Sequence, residues 1–157
     1  MKRLLCLCLM VVMMTAALAA CGKGEPKEVT AAADDIAKEL VSETITSDTL
    51  TKSTADFLAA TYFLDMNEVE DSAAYFSSAA TACEVAVIKC KNPDYVKETE
   101  TLLKQRTDSQ KSLYETYNAP EASRLEKAII KTSGNYAVLC VSDDNDKAEE
   151  ILSKYGF

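Results

Sequence analysis

The sequence predicts an α+β fold: a four-stranded, mainly antiparallel sheet with helices packed on one face, together with further helices in the N-terminal part of the chain. Apolar residues recur at helical spacing in several segments, and β-branched, apolar runs occur in two pairs. A strand-strand-helix pattern also occurs twice, since EVAVIKCKNPD from Glu84 aligns with NYAVLCVSDDN from Asn135 at a shift of 51 residues. Two such units account for the four strands.

The N-terminal segment, residues 1–20, has the pattern of a secretory signal peptide. Lys2 and Arg3 precede an uncharged apolar stretch, which runs for 17 residues from Leu4 to Ala20 and ends in small residues. This length is at the lower limit for a membrane-spanning helix, and the small residues favour cleavage over permanent insertion.

The tetrapeptide Leu18-Ala19-Ala20-Cys21 resembles the lipobox of bacterial lipoproteins. In that family the cysteine receives a diacylglyceryl group and the chain is cut just before it. The resemblance implies that Cys21 is lipidated, because two acyl chains hold a protein stably on a membrane. We therefore expect the outer face of the cytoplasmic membrane as the location, a tether over residues 21–28 and a single α+β domain over residues 29–157.

The first half of that domain predicts two helices and two strands. Apolar residues at i, i+4, i+7 and i+11 from Val29 indicate a helix over 30–44, with Thr30 as its N-cap. The polar segment Thr46 to Lys52 is predicted as a connector, and Glu68, Glu70 and Asp71 as a solvated turn. The remaining elements are a second helix over 53–63 and strands over 72–78 and 83–90.

The second half predicts a long helix, a short helix, a hairpin and a final helix. Asn92-Pro93-Asp94 supplies an N-cap and a proline for a helix over 93–117. A short helix is expected over 120–126. Strands over 128–132 and 135–141 are joined by Ser133-Gly134, and the last helix ends at Gly156.

Composition excludes several classes of function. The chain has no histidine and only four glycines, so it lacks a histidine base, an imidazole metal ligand and a phosphate-binding glycine loop. Its net charge of -8 argues against binding of nucleic acid. We predict no metal site, no cofactor and no catalytic residue. Asp143, Asp144 and Asp146 lack the calcium-binding loop pattern and are interpreted as helix-capping acids.

Three cysteines follow the predicted cleavage site: Cys83, Cys90 and Cys140. Cys83 and Cys90 are seven residues apart and fall on opposite faces of a strand, too distant for a disulfide. Pairing of Cys140 with either of them is left open by the sequence. Without pairing, all three are expected to be buried thiols.

Arg106 and Gln110, one turn apart on the long helix, are the candidate polar pair. They are suited to holding a carboxylate or a carbonyl group, either of a ligand or within the fold, where they would tether the helix to the hairpin. Tyr114, Tyr117 and Tyr136 are interpreted as core or rim residues rather than as a platform for a sugar.

The order of these segments resembles clostridial-type lipoproteins that contain the domain of unknown function 4358. The resemblance covers about residues 50–157, and its most specific parts are Arg106 with Ser109-Gln110, the hairpin from Ala128 to Tyr136, and Val141-Ser-Asp-Asp144. It implies a Firmicutes-like source and an exported lipoprotein. The family has no established activity, so the resemblance implies no catalytic residue.

These observations together predict a membrane-anchored extracytoplasmic lipoprotein. We expect a non-enzymatic binding or assembly module of the cell envelope, with an envelope protein as its partner. Two alternatives remain from the sequence: a small hydrolase that uses two carboxylates, and a lipoprotein that binds a small ligand.

Overall fold

The computed structural model describes residues 28–78 and 81–157. Its elements, in chain order, are α1 (Ala33–Thr44), β1 (Leu50–Lys52), α2 (Ala55–Tyr62), β2 (Val69–Ser77), β3 (Glu84–Cys90), α3 (Pro93–Tyr114), α4 (Ala119–Glu126), β4 (Ile129–Ser133), β5 (Tyr136–Val141) and α5 (Asn145–Tyr155). The predicted α+β class is confirmed. Within the described residues, no helix has the length and apolar character needed to cross a bilayer.

The strands form one antiparallel sheet in the order β1-β2-β3-β5-β4. The prediction of four strands was wrong, because β1 lies in the segment that was predicted as a connector. This strand has three residues, and its sequence LTK carries no apolar alternation. It is defined by its pairing with the end of β2, where Thr51 faces Phe76.

Strand β2 begins at Val69, earlier than the sequence predicted. Val69 pairs with Cys90 and Asp71 pairs with Lys89, so Glu70 is an extra residue in a β-bulge. The acids that were predicted as a solvated turn therefore include two strand residues. Both carboxylates have partners within the fold. Lys89 pairs with Glu70 at 2.7 Å, and Asp71 Oδ2 accepts a hydrogen bond from the backbone N–H of Ala33.

Helices cover both faces of the sheet, which corrects the prediction that they pack on one face. Helices α1 and α5 share a core with Val85 and Val87 of β3, whereas α2, α3 and α4 share a second core with Ala86 and Ile88. The central strands β3 and β5 are apolar on both sides, as is typical of strands buried between two helical layers.

The two strand-strand-helix units are present, but they are not equivalent. After β3 the chain crosses to the face covered by α3, and after β5 it crosses to the opposite face, covered by α5. A simple duplication would place both helices on the same side. The sequence likeness between the units therefore reflects two buried central strands with similar apolar patterns.

Local signals define most helix ends. The Asn92 side chain accepts from the N–H of Tyr95 at the start of α3, and Gly156, with φ of 105°, ends α5 as predicted. Helix α3 ends at Tyr114, three residues before the predicted end. Helix α1 has no side-chain cap from its own N-cap residue; Asp71 of β2 supplies the acceptor 2.8 Å from the Ala33 nitrogen.

Candidate functional site

Arg106, half of the predicted polar pair, is anchored in an ionic triad between α3, β3 and α2. Its Nε and Nη2 donate to the two oxygens of Glu84, at 3.2 and 2.8 Å. The hydroxyl of Tyr62 donates to Glu84 Oε1 at 2.6 Å. The Glu84 side chain is 9% exposed and that of Arg106 is 23% exposed, so the pair is largely removed from water. Arg106 thus joins α3 to β3, whereas the predicted tether joined the helix to the β4–β5 hairpin.

Burial and the charge of Glu84 act in opposite directions on the pKa of Arg106 and in the same direction on the pKa of Tyr62. Burial lowers the pKa of Arg106, but the hydrogen bonds and charge of Glu84 raise it by more, so the guanidinium stays protonated. Burial, followed by the negative charge of Glu84, raises the pKa of the Tyr62 phenol well above its usual value. Tyr62 therefore stays a neutral donor, and the triad holds one positive and one negative charge.

Gln110 lies beside Arg106 at a small cleft of about 150 Å³, which we name the Arg106 cleft. The cleft is also lined by Phe76, Glu84 and Tyr114. The Gln110 side chain forms no hydrogen bond with a described residue, and neither does the Nη1 atom of Arg106, since only Nε and Nη2 bind Glu84. The structure thus brings the predicted pair together at a cleft where both side chains keep polar groups that the fold does not use.

The large apolar side chains that are exposed in the described part of the chain surround this cleft. They are Phe57, Phe63, Leu113 and Tyr117, which are 55%, 82%, 53% and 60% exposed; we name them the apolar rim.

Ring contacts and shared clefts connect the apolar rim to the Arg106 cleft. The Phe57 ring packs edge-on against Phe76 at 5.2 Å, and the Tyr117 ring lies 5.0 Å from that of Tyr114. Phe63 and Arg106 line a second cleft of about 180 Å³. Leu113 lies two helical turns after Arg106 on the same side of α3.

Phe63 has a backbone conformation that large side chains rarely adopt. It follows the last residue of α2 with φ of 58° and ψ of 36°, in the left-handed region. A non-glycine residue there costs about 1 kcal/mol or more. Glycine or asparagine usually occupies this position at a helix end. The phenyl ring is mostly in water, so its burial does not offset that cost.

A larger cleft, of about 400 Å³, lies beside Arg124 at the start of α5. Arg124 donates to Glu121 at 3.0 Å and also pairs with Asp143. Asp143 Oδ2 accepts the backbone N–H groups of Thr46 and Ser47 at 2.7 and 2.8 Å. These contacts join α4, the loop before β1 and the loop after β5, so Arg124 and Asp143 have a structural role here.

The environment of Asp143 keeps it ionised. Burial raises its pKa, but the N–H groups of Thr46 and Ser47, the Ser47 hydroxyl and Arg124 together lower it well below the usual range. Its neighbour Asp144 is the N-cap of α5 and accepts from the N–H of Lys147 at 2.9 Å. Within the described ranges, no group of three or more acidic or cysteine side chains is arranged to hold a metal ion.

The cysteines that follow the predicted cleavage site are free and buried. Cys83 and Cys90 lie in opposite cores, as their spacing predicted. Cys140 pairs with Val85 across the sheet, which places Cys83 at the diagonal position, about 7–8 Å away and beyond disulfide reach. Burial raises the pKa of the Cys140 thiol to about 11 and also raises those of Cys83 and Cys90. Such thiols are poor nucleophiles.

The predicted tyrosines divide between core and rim. Tyr114 and Tyr136 are buried, and Tyr117 is exposed. The predicted lipidation site, Cys21, lies outside the described residues.

Sequence reasoning missed Glu84 and most of the apolar rim. Glu84 is a lone acid at the start of an apolar strand, and such a residue needs a cationic partner when it is buried. That signal was present, but the partner is 22 residues away. Nothing in the sequence separates Phe57 and Phe63 from core residues, because their exposure depends on how α2 packs.

Comparison with known proteins identifies the family of the chain. No curated protein and no solved structure matches the chain. A family model described as Domain of unknown function (DUF4358) matches residues 42–142, which include the ionic triad and the whole apolar rim. The match begins earlier than the expected resemblance and leaves out α5. It covers well over half of the sequence, and the chain belongs to the DUF4358 family.

Proposed function

We propose that this protein is an extracytoplasmic lipoprotein, anchored through Cys21 at the outer face of the cytoplasmic membrane, whose domain is a non-enzymatic binding module. The apolar rim is the observation that supports the binding role. Exposed apolar side chains concentrated around one cleft are typical of an interaction surface, whereas scattered ones are ordinary.

The anchor is supported by the lipobox at Leu18 to Cys21. Glu28 and Val29 share a cleft with Gly134 and Asn135, at the β4–β5 turn. A tether from Cys21 would therefore reach the domain at that end of the sheet. The Arg106 cleft lies at the other end of β3, beside Glu84, and would face away from the membrane.

The alternatives have less support. A hydrolase with two carboxylates needs one acid whose pKa is raised so that it can donate a proton. The pKa values of Asp34, Glu39, Asp48 and Asp143 are all shifted downward, each stabilised as a carboxylate by hydrogen bonds. The Arg106 cleft, at about 150 Å³, is below the 300–1,000 Å³ typical of pockets that bind drug-sized ligands. The cleft beside Arg124, at about 400 Å³, reaches that range, but apart from Pro120 its lining residues are polar or charged, whereas such pockets are lined mostly by apolar side chains.

Membrane fractionation of cells that express the full-length chain tests the anchor. Cys21→Ala should release the protein from the membrane or leave it uncleaved, because the acceptor of the diacylglyceryl group is gone. Cys6→Ala is the matched control, since it removes a cysteine of the signal segment and leaves the lipobox intact. Normal cleavage and membrane retention of the Cys21→Ala protein would contradict the proposal.

A further inference from the structure

Two neighbouring side chains at the Arg106 cleft have hydrogen-bonding groups that no described residue uses. The Gln110 amide has both a donor and an acceptor, and Arg106 has a spare donor at Nη1 because only its Nε and Nη2 bind Glu84. Glu84 already balances the charge of Arg106. The cleft is therefore suited to a neutral group that donates and accepts, and a peptide amide is such a group.

The surroundings of the cleft have the composition of a protein interface. Aromatic residues and arginine are enriched in such interfaces, with an anchor side chain in a pocket and apolar contacts that exclude water around it. The apolar rim supplies three exposed aromatic rings and a leucine. A cleft of about 150 Å³ is small enough for a single anchoring side chain.

Phe63 supports the same conclusion from backbone energetics. Its left-handed conformation destabilises the domain, and its ring is 82% exposed, so the residue does not stabilise the fold. A large apolar ring in that position is available for contact with a binding partner.

The N-terminal segment of the same chain is poorly suited to be that partner. It joins the domain at Glu28, beside Lys89 and Asn135. Glu84, at the Arg106 cleft, is five residues along β3 from Lys89, which is about 17 Å. The residues between Cys21 and Glu28 are long enough to span that distance, but their sequence, GKGEPK, has no large apolar side chain that could pack against the apolar rim.

We propose that the Arg106 cleft and the apolar rim bind an extended segment of a second, different protein. One amide of that segment is held by Gln110 and Arg106, and its apolar side chains pack against the rim. This inference deepens the proposed function and rests on it for the compartment in which the partner is found.

Site-specific photo-crosslinking in intact cells tests the inference. A benzoylphenylalanine replaces Tyr117 in the full-length chain, and a control chain has it in place of Glu150, an exposed residue of α5 on the other side of the sheet. Mass spectrometry then identifies the crosslinked peptide. We expect position 117 to capture one recurrent segment of a different protein and position 150 not to capture it.

Two substitutions, each made in the position-117 chain, show whether the captured segment occupies the cleft. Gln110→Ala should reduce the adduct roughly fivefold, because one or two hydrogen bonds are lost. Phe63→Gly should also reduce it, while leaving the melting temperature unchanged or raised by up to about 4 °C, because glycine relieves the backbone strain. Loss of the adduct in a domain of equal or greater stability cannot be ascribed to unfolding.

Other outcomes overturn the inference. Adducts that contain only peptides of this chain would indicate self-association, and adducts with glycan would indicate a sugar site. Equal capture at positions 117 and 150, or an adduct unchanged in both Gln110→Ala and Phe63→Gly, would show that the cleft is not the docking site. Fractionation of the Cys21→Ala protein reports on the anchor separately, so the two proposals fail independently.

Discussion

The ionic triad of Tyr62, Glu84 and Arg106 provides a quantitative prediction about stability. Arg106→Met removes both charged hydrogen bonds to Glu84 and keeps most of the side-chain volume. Glu84 is then left largely buried, with the Tyr62 hydroxyl as its remaining partner. The expected result is a clear loss of folding free energy, because a buried carboxylate without its cation is poorly solvated.

The magnitude follows from the exposure of the two side chains. Breaking a fully buried pair costs about 3–5 kcal/mol. Arg106 is 23% exposed and Tyr62 still donates to Glu84, so we expect a smaller cost, about 2–3 kcal/mol for Arg106→Met. At about 4 °C per kcal/mol, the melting temperature should fall by roughly 10 °C. The double variant Arg106→Met/Glu84→Gln should recover about 1 kcal/mol, because no unpaired charge remains.

Urea denaturation followed by circular dichroism measures these values, since the chain has no tryptophan for fluorescence. The wild type, the two single variants and the double variant complete a thermodynamic cycle. Gln110→Ala is the matched control on the same helix. It should lower the free energy of unfolding by less than about 0.5 kcal/mol, because the Gln110 side chain forms no hydrogen bond with a described residue. Additive effects in the cycle, or a cost of Arg106→Met no larger than that of Gln110→Ala, would refute the tether.

Three further predictions concern the stability of the domain at low pH, the number of free cysteines and the effect of calcium on the melting temperature. Asp143→Asn should lower the free energy of unfolding by about 2 kcal/mol at pH 7. The folded-state pKa of Asp143 is lowered, so its contribution is present above its unfolded pKa of about 3.9 and is lost as the pH falls through the folded value. Urea midpoints from pH 7 to pH 2 should therefore fall less steeply in the variant, and equal slopes below pH 4 would contradict this. Thiol titration of the unfolded, unreduced mature protein should detect three free cysteines, and a count of one would reveal a disulfide. Calcium at low millimolar concentration should leave the melting temperature unchanged; a rise of several degrees would show that the acids after β5 bind metal.

Elements with local signals were predictable from the sequence. The apolar periodicity of α1, the Asn92-Pro93 start of α3 and the glycines at 134 and 156 each act within a few residues, and each is confirmed. Elements defined by distant partners were not predictable. Strand β1 depends on pairing with β2, and the cap of α1 comes from Asp71, 38 residues away.

In the candidate site, too, the features that depend on local sequence were predictable and those that depend on distant partners were not. The spacing of Arg106 and Gln110 placed them together on one helix face, and in the structure both line one cleft. The identity of Glu84 as the partner of Arg106 depends on how α3 packs on β3. The exposure of Phe57 and Phe63 depends on the packing of α2, and a sequence pattern does not separate exposed from buried phenylalanines.

The central pairing of β3 with β5 has a consequence for the order of folding. Glu84 pairs with Val141 and Lys89 pairs with Tyr136, so the middle of the sheet forms only when segments about 50 residues apart meet. Helix α1 also depends on the C-terminal part, because the Tyr136 hydroxyl donates to Ala31 and the N–H of Asp143 donates to Thr44. A chain that emerges N-terminus first cannot complete either core until β5 has emerged. High contact order of this kind slows folding, so β3 stays unpaired with β5 during that interval and is exposed to aggregation and proteolysis.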